Sequence, residues 1–171
     1  MLFEARVWKF GDNINTDLMM PGNAVLTRPH LTDQEAARYC MSATRPDWAS
    51  QVQKGDIIIA GNNWGCGSSR PAARLFKTLG IAVIVANSMS RLFFRNAINI
   101  GLPVLICEGV AASFTEGDLA RVNLERGEIA NLTRSITLKG EPLPVDSPPA
   151  QILKAGGLEG LMRDQKIESG C

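Results

Sequence analysis

The chain of 171 residues is long enough for one sizeable hydrophobic core and short for two. Hydrophobic residues make up 45% of it and charged residues 20%, a composition that excludes a disordered chain. The 18 basic and 17 acidic residues are mixed, and the formal net charge of +1 gives no basic footprint for nucleic acid. We therefore expect a single domain over residues 1–171 that does not bind nucleic acid.

The predicted elements begin with a strand over residues 3–10, which ends in a polar loop at 11–17. A turn is expected at 21–23, and a capping pattern at 32–35 precedes a short predicted helix. Residues 43–55 include a proline and several polar side chains, so we expect this segment to cross the surface.

From Asp56 onward, strands and helices alternate. The predicted series is a strand at 56–60, a helix at 71–79, a strand at 81–86, a helix at 89–99 and a strand at 103–107. Such alternation is typical of βαβ units and a parallel sheet, and the wholly apolar strands are typical of a sheet covered on both faces. Arg91 and Arg95 lie one helical turn apart on a face that we expect to be solvated or ion-paired.

After Glu108 the alternation ends. Antiparallel strands are expected at 128–132 and 136–138, and a short helix is expected at 150–155. The tail from about residue 163 is polar and is expected to be flexible.

No secretory signal or membrane-spanning stretch is evident, so we expect a cytoplasmic protein without a membrane partner. The four cysteines are widely spaced and, with only His30 to help them, do not make a convincing metal site. A reducing compartment would keep them as free thiols. We therefore expect this chain to hold no metal.

The turn between the first strand and helix of the alternating series reads Gly-Asn-Asn-Trp-Gly-Cys-Gly-Ser-Ser-Arg over residues 61–70. A helix N-terminus gathers unpaired backbone N–H groups and the positive end of the helix dipole, which favours an anion. Two glycines, Gly65 and Gly67, let the backbone come close to a ligand. Two hydroxyls and Arg70 follow, and a guanidinium can grip a carboxylate or phosphate through two bonds. The sequence therefore predicts a site for an anionic small molecule, beyond the end of a strand.

Simpler roles remain open for the same residues. Ser68 and Ser69 could cap the following helix. Arg70 could pair with Asp17 across a loop, and Asp17 could serve only as a turn former.

Three segments, taken together, resemble the small subunits of 3-isopropylmalate dehydratase, the separate-chain counterpart of the swivelling fourth domain of aconitase. They are Gly-Asp-Asn-Ile-Asn-Thr-Asp at 11–17 with Pro-Gly at 21–22, the turn at 61–70, and the segment 79–103 with Ser-Arg-Leu-Phe-Phe-Arg-Asn-Ala-Ile-Asn-Ile-Gly-Leu-Pro at its end. A lone glycine-rich loop would be a weak signal. Three motifs in the family's order are a strong one.

The resemblance implies an α/β chain with the swivelling β/β/α fold of aconitase domain 4 and a mostly parallel central sheet. It implies a hydro-lyase, active only with a large subunit, that isomerises a small 2-hydroxydicarboxylate by reversible dehydration and rehydration. The simplest case is 2-isopropylmalate to 3-isopropylmalate in leucine biosynthesis. The large subunit would hold a [4Fe-4S] cluster through three cysteines. Related dehydratases of dimethylmalate, homoaconitate or methylmalate type, and a non-catalytic anion-binding module, remain alternatives.

The resemblance also implies roles for individual residues. Ser68 matches the catalytic serine, which as an alkoxide takes a proton from carbon, and Ser69 matches the hydroxyl that assists it. Arg70 matches the arginine that binds the substrate carboxylate. Asp17 matches the aspartate that lines the same cleft, and Gly67 belongs to the backbone that approaches the ligand.

The loop after Pro-Gly at 21–22 tunes the pocket in this family for the variable group of the substrate. Val25 and Leu26, followed by Thr27, would suit an apolar substituent such as isopropyl or methyl. Arg28 could instead meet an additional carboxylate.

Pro71 and Ala72 stand where the family commonly has Glu-His. A proline is comfortable at the first helical position. The loss of the acidic and imidazole groups removes polar support around the site, so the resemblance leaves the substrate open.

Overall fold

The computed structural model describes residues 1–22, 30–67 and 70–168. The strands within them are β1 Leu2–Lys9, β2 Ile57–Ala60, β3 Val83–Ala86, β4 Val104–Ile106, β5 Leu119–Asn123, β6 Glu128–Asn131 and β7 Ile136–Lys139. The α-helices within them are α1 Thr16–Met19, α2 Asp33–Ala37, α3 Trp48–Gln51, α4 Ala72–Leu79, α5 Arg91–Asn99, α6 Pro148–Lys154 and α7 Leu158–Glu168. A short 3-10 helix covers Val110–Ser113.

The strands form one mixed sheet in the order β4-β3-β2-β1-β5-β6-β7. Strands β1 to β4 are parallel, and β5, β6 and β7 add antiparallel pairs beyond β1. Every residue of β2 and β3 is buried, which explains why both sequences are apolar without alternation. The βαβ series expected from the sequence is therefore present, and the antiparallel strands extend it on the other side of β1.

The two edges of the sheet approach each other. Beyond β7, the N–H of Glu141 donates to the carbonyl oxygen of Ile106 in β4 at 2.8 Å, forming an isolated antiparallel bridge. Gly140 stands at this junction, where a Cβ would lie 2.5 Å from the same carbonyl oxygen. Glycine therefore allows the curled sheet to bring its opposite edges together.

An aromatic cluster packs beside the parallel strands and ends next to the 61–70 turn. The rings of Phe10 and Trp48 lie 5.4 Å apart, and those of Phe10 and Trp64 lie 5.6 Å apart. Trp64 also contacts Phe76 of α4 at 5.8 Å and Phe93 of α5 at 6.2 Å. Trp64 is fully buried, so the 61–70 turn is anchored in the core at this residue.

Two segments differ from the sequence expectations. Trp48 is buried in α3, so the prediction that 43–55 crosses the surface is wrong at its centre. Strand β5 was not predicted, because its five residues alternate too briefly to stand out. The tail from residue 163 is helical to Glu168, and its flexibility stays a prediction. None of the helices in the described residues is both long and apolar enough to cross a membrane.

A buried carboxylate joins β1 to the start of β2. Asp56 accepts hydrogen bonds from Arg6 Nη2 at 2.8 Å, Trp8 Nε1 at 2.7 Å and the Gln53 N–H at 2.9 Å. Burial alone would raise the pKa of this carboxyl, but the hydrogen bonds from Arg6, Gln53 and Trp8 hold the pKa below its ordinary value. The ionised form is therefore the one that the fold stabilises.

Replacing Gly140 with alanine should strain the closure of the sheet. The new Cβ meets a backbone carbonyl, so we expect Gly140→Ala to lower the free energy of unfolding by about 1–3 kcal/mol. Gly11→Ala is the matched control, because nothing lies within 4 Å of a Cβ at that position. Urea unfolding of both variants measures the difference, and equal losses would contradict the closure role of Gly140.

Asp56→Asn should make stability less dependent on pH. Because the folded-state pKa lies below the unfolded value of about 4, the carboxylate stabilises the fold above that value and loses this effect as the pH falls through the folded pKa. We expect the variant to be less stable than wild type at neutral pH by about 1–3 kcal/mol, and this difference in the free energy of unfolding to shrink below about pH 4. Urea unfolding from neutral pH to below about pH 4 measures the difference, with the exposed Asp146→Asn as control. A difference that stays constant with pH would exclude the stabilising role of the ionised Asp56.

Candidate active site

The loop after β1 and the loop after β2 lie side by side beyond the carboxyl ends of their strands. Backbone hydrogen bonds continue the pairing, from the N–H of Gly61 to the carbonyl of Gly11 (3.2 Å), Asn13 to Asn62 (2.8 Å), Gly65 to Ile14 (2.8 Å) and Thr16 to Cys66 (3.0 Å). We call this arrangement the paired loops, residues 11–16 and 61–66. This pairing fixes the distance between Asp17, which follows the first loop, and Gly67, which follows the second.

Side chains strengthen the paired loops at their exposed rim. Asp12 Oδ1 accepts from the N–H of Asn62 at 2.6 Å and from its Nδ2 at 3.1 Å. Asn63 Nδ2 donates to Asn13 Oδ1 at 3.0 Å. Both of these asparagines have left-handed backbone, with φ of 56° at Asn13 and 58° at Asn63, a conformation that asparagine tolerates better than most residues.

The second loop is also attached to the beginning of α5. Ser90 caps α5 by accepting from the Phe93 N–H, while its Oγ donates to the carbonyl oxygen of Gly65 at 2.6 Å. Gly65 has φ of +73°, and a Cβ there would lie 2.4 Å from Phe93 Cβ. A side chain at Gly65 is therefore excluded by both conformation and space.

Helix α1 places Asp17 opposite the second loop. Asn15 caps this helix, its side chain accepting from the Leu18 N–H at 2.8 Å, and Asp17 lies in the first turn. Asp17 Oδ1 is 2.7 Å from Arg70 Nε, and Arg70 Nη1 donates to the carbonyl oxygen of Met20 at 2.7 Å. The ion pair left open by the sequence is thus present.

These contacts leave part of the guanidinium available. Nε faces Asp17 and Nη1 faces Met20, whereas Nη2 meets no partner among residues 1–22, 30–67 and 70–168. The Arg70 side chain is 23% exposed, so the outer edge of its guanidinium can reach a ligand while Asp17 and Met20 hold the inner edge. A carboxylate could bind through Nη2 and the second N–H of Nη1.

Helix α4 begins directly after Arg70. Pro71 is its N-cap rather than its first helical residue, with φ of −76° and ψ of 40°. The N-cap position is therefore not occupied by Ser68 or Ser69, and the positive end of the helix points towards the turn. Ala72 is fully buried, so the position where the family commonly has histidine belongs to the core.

The structure brings together some of the predicted site residues. Arg70 and Asp17 are in contact, and Gly67 is exposed with φ of +97°. The roles of all three remain predictions. The other predicted residues, Ser68, Ser69, Val25, Leu26, Thr27 and Arg28, lie outside the described residues.

Sequence reasoning missed the groups that hold Arg70 and the turn in place. The Met20 contact comes from a backbone carbonyl and has no sequence signal. The Ser90 contact did have a sequence signal, because a serine directly before a predicted helix is a typical N-cap residue.

Cys40, Cys66 and Cys107 are free thiols in the part of the chain that the structure describes. Among those residues, no three His, Cys, Asp or Glu side chains lie close enough together to hold a metal ion. The described residues therefore do not fit an iron–sulfur cluster.

A sequence profile of the Aconitase C-terminal domain family matches residues 14–108. The isopropylmalate/citramalate isomerase small subunit of Methanocaldococcus jannaschii is 45% identical over 170 residues, which cover 98% of each chain. The 3-isopropylmalate dehydratase small subunit of Halothermothrix orenii is 45% identical over 159 residues, 92% of this chain and 93% of that one. A crystal structure of 3-isopropylmalate dehydratase from M. jannaschii matches with a TM-score of 0.91 at 34% identity, covering 99% of this chain and 98% of that one.

The curled sheet, with its paired loops beside a helix N-terminus, is the swivelling domain of the aconitase superfamily. This confirms the expected fold class, in which β1 to β4 supply the parallel part. The chain belongs to the Aconitase C-terminal domain family, in its branch of 3-isopropylmalate dehydratase small subunits.

Gly65→Ala and Gly67→Ala form a matched pair that tests the Phe93 contact. Both put alanine at positive φ, which costs about 1–2 kcal/mol, but only Gly65→Ala forces a Cβ against Phe93, for about 1–3 kcal/mol more. At Gly67 the nearest atom would be 3.6 Å away. Thermal unfolding of the two variants should rank Gly65→Ala clearly lower, and equal losses would contradict the assigned packing.

Proposed function

We propose that this chain is the small subunit of a heteromeric hydro-lyase that converts 2-isopropylmalate to 3-isopropylmalate by reversible dehydration and rehydration. The observation that carries the proposal is the Arg70 guanidinium, which Asp17 and Met20 hold from two sides and whose Nη2 has no hydrogen-bond partner among the described residues. This arrangement suits one carboxylate of a dicarboxylate substrate. The paired loops support it, because they hold Thr16, which precedes Asp17 in the chain, against Cys66, two residues before Ser68 in the sequence.

In this proposal Ser68 is the base. As an alkoxide, its Oγ takes the proton from the carbon next to the one that bears the hydroxyl. The C–H electron pair becomes the double bond as the hydroxyl leaves as hydroxide. On rehydration hydroxide adds to the carbon that lost the proton, and Ser68 gives the proton to the carbon that had borne the hydroxyl, which moves the hydroxyl to the adjacent carbon. A serine hydroxyl is too weak an acid to be an alkoxide in water, so it needs a positive environment. Arg70 and the N-terminal end of α4 supply positive charge beside it.

We assign the [4Fe-4S] cluster to the large subunit, where it would act as the Lewis acid on the hydroxyl group. The absence of a suitable ligand group among the described residues is compatible with this assignment. This chain would contribute the base and the carboxylate clamp, so neither subunit would have a complete site. We further propose that the chain acts as one domain in the cytoplasm. The single hydrophobic core cluster formed by the described residues supports the one-domain part of this proposal.

We assign recognition of the variable group of the substrate to residues 23–29. The relatives named for isopropylmalate/citramalate and for 3-isopropylmalate are both 45% identical to this chain, so overall similarity does not separate these substrates. Val25 and Leu26 favour an isopropyl or methyl substituent, whereas Arg28 favours a further carboxylate. We take the apolar pair as the specificity determinants, with Thr27 beside them.

Reconstitution tests the proposal directly. The chain is mixed anaerobically with its cognate large subunit, and ultraviolet absorbance follows the unsaturated acid formed from 2-isopropylmalate, citramalate or homoaconitate-type substrates. Activity with 2-isopropylmalate is expected. No activity with any of them despite an intact cluster, together with tight binding of a dicarboxylate by the isolated chain in calorimetry, would favour the anion-binding module instead.

Ser68→Ala and Arg70→Lys should fail in different ways. Loss of the base should lower kcat by about 100-fold or more with little change in KM. Arg70→Lys should raise KM by about tenfold or more as well as lower kcat, because lysine cannot reproduce the two-point grip. Arg121→Lys is the control, since this arginine pairs with Glu4 on the surface. Small, equal effects from both site variants would contradict the assigned roles.

A further inference from the structure

The charges of this chain are segregated, although their sum is close to zero. Residues 57–107 contain five basic residues, Arg70, Arg74, Lys77, Arg91 and Arg95, and no Asp or Glu. All 17 acidic residues and the other 13 basic residues lie outside this segment, which gives the rest of the chain a net negative charge. The segment that forms the candidate site is therefore locally cationic.

The structure places four of these cations on α4 and α5. Arg74 and Lys77 lie three positions apart on α4, and Arg91 and Arg95 lie four positions apart on α5, so each pair shares a helix face. A cleft of about 280 Å³ between the helices is lined by Arg74 and Asn99 and begins at Pro71, immediately after Arg70. We call this surface the basic helix face, defined by Arg74, Arg91, Arg95 and Asn99.

The arginines of this face are poorly compensated. Arg91 and Arg95 are exposed and form no ion pair with any residue that the structure describes. Among the described residues, Arg74 forms one ion pair, with Asp33 at 3.7 Å, and both of those side chains are more than half exposed. The cations thus retain most of their capacity to bind an external anion.

Apolar surface adjoins the same helix. A second cleft, of about 190 Å³, lies between α5 and α6 and is lined by Arg95 together with Phe94, Ile98, Pro148, Pro149 and Ile152. Leu92 on α5 is 43% exposed. Arginine beside apolar side chains is the combination found at protein–protein interfaces.

We propose that the basic helix face docks an acidic segment of the large subunit, whose apolar side chains enter the cleft between α5 and α6. The inference rests on the proposed function, which requires a large subunit. Arg91 and Arg95 are separated by one helical turn, about 6 Å along α5, and Arg74 lies on another helix, so the face is too extended for one small dicarboxylate. Nucleic acid is less suited, because the exposed large apolar side chains among the described residues include no aromatic ring for stacking, and Phe94 in the adjoining cleft is part-buried.

Charge reversal measures the docking. Binding of the chain to its immobilised, cluster-loaded large subunit is followed by interferometry for wild type and for Arg91→Glu/Arg95→Glu. We expect the dissociation constant to rise by at least about 50-fold, because like charges then face each other. Arg91→Gln/Arg95→Gln should give an intermediate value, and added salt should weaken wild type more than either variant.

The matched control is Arg126→Glu/Lys139→Glu, which makes the same charge change on exposed residues of the antiparallel part of the sheet. It should bind within about twofold of wild type, and all variants should retain the wild-type far-ultraviolet circular dichroism spectrum. If the control weakened binding to the large subunit equally, net charge alone would explain the effect, and the proposed docking face would be wrong. Unchanged binding by both arginine variants would overturn it too.

The two proposals can fail separately. At saturating concentration the glutamate variant should keep kcat within about twofold of wild type, because neither arginine belongs to the reacting site. A wild-type complex that forms but produces no unsaturated acid would refute the hydro-lyase while leaving the docking face standing. An active complex indifferent to Arg91 and Arg95 would refute only the docking face. Tighter binding of a mixed-sequence oligonucleotide than of the large subunit, lost in the variant, would assign the face to nucleic acid instead.

Discussion

The pairing of the two loops beyond β1 and β2 is the constraint on which the candidate site depends. Asp17 and Arg70 are far apart in sequence, and each follows a segment that would have no fixed position alone. Backbone hydrogen bonds from Gly61 to Gly11 and onward to Thr16 and Cys66 make the two segments one rigid object. Left-handed backbone at Asn13 and Asn63 is unfavourable by itself, and these bonds offset it. The site is thus an extension of the parallel sheet.

The three sequence motifs are parts of this same object. The first supplies one of the paired loops and Asp17, the second supplies the other loop and Arg70, and the third supplies Ser90 and Phe93, which fix the second loop from behind. A change in any one of them would shift the other two. This physical dependence explains why the motifs occur together in order, whereas a glycine-rich turn alone would identify nothing.

The features that the sequence predicted well depend on local chemistry. Continuous apolar runs identified β2 and β3, and the capping pattern before α2 is realised by Thr32 and Glu35. The features that it did not predict depend on distant partners. Trp48 is buried because Phe10 and Phe76 lie around it, and Gly140 matters because β4 lies opposite. The Ser68 turn and the 23–29 loop stay predictions, since their roles were inferred by resemblance and not from contacts.

The proposed docking role of the basic helix face would connect the site to the large subunit. An arginine that is part-exposed to water binds a carboxylate weakly, because solvent screens the attraction and competes for the same hydrogen bonds. Arg70 is in that condition in this chain, even though Asp17 and Met20 have already fixed its position. Its grip would strengthen only when a second surface excludes water from the turn. If the arginines of α4 and α5 draw that surface into place, the same positive charge serves both subunits, first by attracting the acidic partner and then by holding the substrate. An acidic residue anywhere in 57–107 would work against both steps, and the segment contains none.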